Sequence, residues 1–154
     1  LMSWSIDASE IARMGAGFTS VSARVPEIVE PGLQRAATKI RDKAKGNIHH
    51  KTGKLGASGK VTKIGRMVYE VRFEAFNKGF NYASAVEFGR GPVRPINAKV
   101  LRFNVGGKTV FTKYAGPAPA QRFLGRVVDS ADSILAPEIA KMETDLVRAI
   151  EASF

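Results

Sequence analysis

The chain is predicted to be α+β, with an antiparallel β-sheet of hairpins flanked by a long N-terminal helix and a C-terminal helix. Three observations predict this. Apolar residues recur at helical spacing before and after the middle of the chain, strand-like alternation is confined to the middle, and glycine-containing turns punctuate the alternation. The chain has 154 residues, the size of one domain (1–154). Its 44% hydrophobic and 25% charged residues are ordinary for a packed globular chain.

The first helical face is formed by Leu33, Ala36, Ala37, Ile40 and Ala44, with Arg35, Lys39, Asp42 and Lys43 on its flanks and opposite side. Upstream, Val21, Val25, Ile28 and Val29 continue the stripe. Pro26 and Pro31-Gly32 interrupt it, so a kinked or broken helix is expected there. Residues 1–20 read as an N-terminal arm, and Gly46-Asn47 as the helix stop. Residues 46–60 follow as a flexible basic loop with four glycines and few apolar anchors.

Alternating β-branched and aromatic residues mark the strands. Val61 and Lys63, then Met67 to Phe73, read as a hairpin turning at Gly65-Arg66. Val100 to Val105 and Lys108 to Tyr114 read as a second hairpin around Gly106-Gly107. Between them, Asn81 to Gly89 has the pattern of a short helix. After Gly116-Pro117-Ala118-Pro119, the residues Phe123, Leu124, Val127, Val128, Ala131 and Leu135 resume helical spacing, and Ile139, Met142, Leu146 and Ile150 continue it. Pro137 either kinks that helix or opens a second one.

The net charge is +10, and it is unevenly spread. Residues 35–66 carry a net +9 and residues 90–126 a net +8, whereas residues 127–154 carry −4. Two separate basic blocks point to an anionic partner, either nucleic acid or an acidic protein surface. Catalytic, cofactor and metal chemistry find no support. The two histidines, His49 and His50, are adjacent, and cysteine is absent. Gly53-Lys54 is followed by Leu55, which breaks the phosphate-loop pattern. Glu87 is the only acid between Glu74 and Asp129, so no carboxylate pair forms around it. Its isolation in a basic stretch predicts a partly buried carboxylate, bonded to an arginine or to backbone N–H groups and tying its helix to the following loop. No apolar run is long enough to cross a membrane, the start of the chain lacks the regions of a secretory signal, and with cysteine absent a cytoplasmic site of synthesis is expected.

The order of these features resembles a known family. An Ala- and Lys-rich helix leads to Lys51-Thr52-Gly53-Lys54-Leu55 and a hairpin. Then come Tyr82-Ala83-x-x-Val86-Glu87-Phe88-Gly89, a Gly-Gly hairpin, Arg122-Phe123-Leu124 and a last helix. This resembles the neck and tail-completion proteins of long-tailed bacteriophages, also called the head–tail joining or minor tail component family, over roughly residues 26–150. Gly56-Ala57-Ser58 is a looser version of the family pattern, and Arg90 stands where a small polar residue is usual.

The resemblance implies a virion protein without catalytic activity, a homo-oligomeric ring at the head–tail junction at the neck, tail-completion or tail-terminator level. The implied partners are connector or stopper proteins and tail-tube proteins, with non-specific contact to DNA in the channel. The residues it implies for the assembly interface are Lys51, Thr52, Gly53, Lys54, Leu55, Tyr82, Glu87, Phe88, Arg90, Arg94 and Phe123. The alternative is a basic nucleic-acid-binding module, with Phe103, Phe111 and Tyr114 as aromatics on a basic sheet. The signature of RNA-binding sheets is absent.

Overall fold

The computed structural model describes residues 8–49 and 53–153, with side chains from residue 12 onward. The described residues form α and β elements in the order α1 (Ala8–Gly46), α2 (Lys54–Ala57), β1 (Lys60–Gly65), β2 (Val68–Arg72), β3 (Phe76–Asn77), β4 (Phe80–Asn81), α3 (Ala83–Phe88), β5 (Leu101–Val105), β6 (Lys108–Thr112), α4 (Gly125–Asp129) and α5 (Ala131–Glu151). The fold is α+β, and its strands pair as three separate antiparallel hairpins, β1–β2, β3–β4 and β5–β6. The chain divides into two compact units. One comprises the chain to Asp42, Lys60–Arg72 and the chain from Ser130; the other comprises Lys43–Gly59 and Phe73–Asp129.

In the first unit, Pro26 and Pro31 lie inside one continuous helix of 39 residues, where the sequence predicts a kinked or broken one. Each proline removes a backbone N–H and so leaves one carbonyl, that of Ser22 or Glu27, without its helical donor. Both of those residues are exposed, where water can take the place of the missing donors, and the helix carries on. The same holds in α5, where Pro137 sits inside a single helix and Ser133 is exposed.

The helices α1 and α5 approach closely at Gly32. A Cβ there would lie 2.5 Å from Cγ and 2.6 Å from Sδ of the buried Met142. One turn earlier on α5, Glu138 is 1% exposed. Its carboxylate accepts from Arg35 Nε at 2.9 Å and Lys39 Nζ at 2.7 Å, two residues on one face of α1. The hairpin β1–β2 is anchored to α1 by Glu30, which accepts from Lys63 Nζ at 2.6 Å and from the Met67 N–H at 3.3 Å. Its turn is Arg66-Met67, one residue later than predicted, because Gly65 pairs with Val68 after a bulge. Met67 takes φ 56°, a conformation rare outside glycine, and its bond to Glu30 holds it there.

The second unit has a small core of Ala44, Ile48, Leu55, Phe73, Ala75, Ala83, Phe123 and Val127. Phe73 and Phe123 meet edge to face, with ring centroids 5.2 Å apart. Within the segment 46–60, the short helix α2 buries Leu55 and Gly56. The hairpin β3–β4 has no counterpart in the sequence reading. Its strands are two residues each, too short for alternation to register, and its turn is Lys78-Gly79 at φ 50° and 82°. The hairpin β5–β6 turns at Gly106-Gly107, both at positive φ as a tight two-residue turn requires.

Candidate assembly site

The block from Tyr82 to Gly89 is fastened on both sides. Asn81 Oδ1 accepts from the N–H groups of Ala75 (3.3 Å) and Ala83 (3.1 Å), which sets the start of α3. At the other end, the carbonyls of Val86 and Glu87 accept from the N–H groups of Gln121 (2.9 Å) and Arg122 (3.0 Å). The Glu87 carboxylate then accepts from the Leu124 N–H at 3.0 Å and the Gly125 N–H at 2.8 Å. Gly125 opens α4, so an anion there also meets the positive end of a helical turn. Glu87 is only partly exposed, and its partners are two backbone donors.

Gly89 follows with φ 78°, and a Cβ there would lie 2.8 Å from both the Ala118 carbonyl oxygen and the Ala120 nitrogen. Only glycine meets both demands. Beyond it, Arg90 pairs with Ala118 and Val93 with Ala115 as antiparallel bridges, making a stem below the β5–β6 hairpin. The Arg90 guanidinium donates to the carbonyls of Gly91 and Gly116, and Arg94 lies over the Tyr114 ring at 5.8 Å. Both arginines therefore brace the stem.

Arg90 and Arg94 of the stem aside, the sequence-predicted residues separate into three sets. Gly53, Lys54, Leu55 and Tyr82 line one cavity of about 690 Å³, together with Ile48, Phe76 and Gln121, so Gly53–Leu55 and Tyr82 converge. Glu87, Phe88 and Phe123 line a second cavity of about 490 Å³ with Phe73 and Leu124. Lys51 and Thr52 lie outside the described residues, as does His50. Burial turns Leu55 and Phe123 inward, where they pack the core. Phe88 points the other way and is 78% exposed. Sequence reasoning missed Phe76 and Phe80, also strongly exposed, because their two-residue strands gave no pattern.

Among the described residues no group of three His, Cys, Asp or Glu side chains is placed to hold a metal ion. No helix among them is long and apolar enough to cross a membrane. The arrangement is one of rigid backbone with apolar side chains left in the open, which suits protein contact.

No curated protein matches the chain, and no solved structure matches it. A family model does match, that of "Bacteriophage HK97-gp10, putative tail-component", over residues 12–89. The match ends at Gly89, the last residue of the fastened block, and takes in α1 from Ala12, both blocks and the hairpins β1–β2 and β3–β4. It spans half of the 154 residues, and the chain therefore belongs to this family of bacteriophage tail components.

Proposed function

We propose that the protein is a non-catalytic virion component that forms a ring at the head–tail junction of a long-tailed phage, linking the head connector to the tail tube. The observation that carries this reading is Phe88. A phenylalanine 78% exposed at the end of a helix fastened by five hydrogen bonds is a rigid apolar contact without a cover. Such a residue favours a partner protein, here connector, stopper or tail-tube subunits. The basic residues of segment 90–126 favour contact with an anionic surface, and DNA passing through the channel supplies one without sequence readout. The segment 46–60 is proposed to order further against a neighbour.

Complementation of a phage lacking this gene tests the reading. With Phe88→Asp, filled heads and finished tails are expected to accumulate unjoined. Normal infectious particles from that variant, or particles in which the protein sits away from the junction, would overturn it. The exposed Phe111 beside Arg102 favours the nucleic-acid-binding reading instead. Tight, sequence-specific DNA binding by a monomer would select that alternative.

A further inference from the structure

We infer that the β5–β6 hairpin of one copy docks on the outward face of α5 of a second copy. The inference rests on the ring reading above and names the two surfaces that close the ring. Both lie outside the span matched by the family model.

Among the described residues the hairpin is a two-stranded sheet with no third strand, an arrangement that is marginal in water by itself. Its register puts Phe103, Val105, Lys108 and Val110 on one face. All four are exposed, Val105 at 62%. No acid occurs between Glu87 and Asp129, so every charge the hairpin carries is positive.

The helix α5 uses one face inside its unit, through Glu138 and Met142. Next to it round the helix, Ile139, Glu143, Val147 and Ile150 follow one another at spacings of four, four and three, and all are exposed, Val147 at 52%. Asp132 and Ala136 extend this stripe towards the start of the helix. The two bases of α5, Lys141 and Arg148, fall on a different side by the same spacing.

Each surface thus has an apolar centre and charge of one sign, and the signs are opposite. Opposite-sign charge beside an apolar centre is what fixes register and orientation at an interface. The surfaces differ, so the contact is heterologous. A copy whose hairpin is seated still offers its helix, and the series ends only when the ring closes.

The test uses two full-length variants, Lys108→Glu and Glu143→Lys, with self-association followed by light scattering and native mass spectrometry over a concentration series. Both residues are exposed, and circular dichroism checks that each variant folds. Each alone sets like charges against each other in every contact, and should raise the concentration needed for association at least about ten-fold. An equimolar mixture should restore association at the parent's concentration, as alternating copies, because every contact then joins opposite charges. Val105→Asp should weaken the parent's assembly through the apolar centre. Variants that assemble like the parent, or a mixture that fails to restore assembly, would overturn this contact and leave the ring reading standing. A parent that stays monomeric throughout would also overturn it, while the junction reading is decided separately in particles.

Discussion

Glu138 is buried and Glu87 partly so, and their carboxylates are satisfied in different ways. The Lys39 ammonium and the Arg35 guanidinium hold the Glu138 carboxyl at about 2, well below its ordinary 4.5. A carboxylate depressed in the folded state adds stability that is complete above its unfolded value and is lost as the pH falls towards the folded one. The parent should therefore melt above Glu138→Gln at neutral pH, and the gap should narrow as the pH falls from 4.5 towards about 2. A gap that stays constant in thermal scans across that range would show that the ion pairs do not carry the difference. Glu87 answers to two backbone N–H groups instead. In Glu87→Gln the amide NH₂ faces one of those donors, so a part-buried N–H goes unpaired, at a cost of about 1–3 kcal/mol in urea unfolding. Parent-like stability would mean that the segment holds without the carboxylate. The bonding of Glu87 to backbone N–H groups was legible in the sequence because it is the one acid in a long basic stretch. Glu138 was not, because it sits among other acids in an ordinary amphipathic helix, and what buries it is packing between elements distant in sequence.

Helix existence and strand pairing were readable from periodicity and turn residues: α1 from Val21 onward, the hairpins β1–β2 and β5–β6, the short helix at 83–88 and the C-terminal helix all follow from local pattern, whereas residues 8–20, read as part of an arm, belong to α1 as well. What local pattern misjudged was proline. Whether a proline breaks a helix depends on whether its orphaned carbonyl meets water, and that depends on exposure, which sequence does not carry. The approach of α1 and α5 at Gly32 was invisible for a similar reason, since a glycine beside a proline reads as a break. Gly32→Ala gains helix propensity but drives a Cβ into Met142, and overpacking of this kind costs about 1–3 kcal/mol. Met142→Ala opens space for it. The double variant should therefore be more stable than the two single changes summed, with a coupling of about 0.5–3 kcal/mol in a denaturant cycle. Additive values would place the two side chains out of contact. Gly89→Ala has no such remedy, because its obstruction is backbone, and a loss of at least about 2 kcal/mol is expected in the same assay.

Association and stability are linked at the scale of the whole molecule. If copies bind one another only when folded, the melting temperature rises with protein concentration. Scans across a hundred-fold range should show that rise, and a flat series would argue against self-association. Substitutions that weaken the contact should flatten the slope without lowering the melting temperature at the dilute end. The stem formed by the Arg90–Ala118 and Val93–Ala115 bridges has a further consequence. It clasps the ends of the excursion 94–114 together, whatever lies between them. Doubling the length of a chain already closed at its base costs only about 0.6 kcal/mol in closure entropy. The hairpin is therefore an exchangeable cassette. Replacing residues 97–112 with a short glycine-rich turn should leave thermal unfolding within a few degrees of the parent while abolishing self-association, and a collapse of the fold would show the stem to be dependent on its insert. A tail component built this way can change its neighbour by changing one insert, while the clasp and the frame beneath it stay as they are.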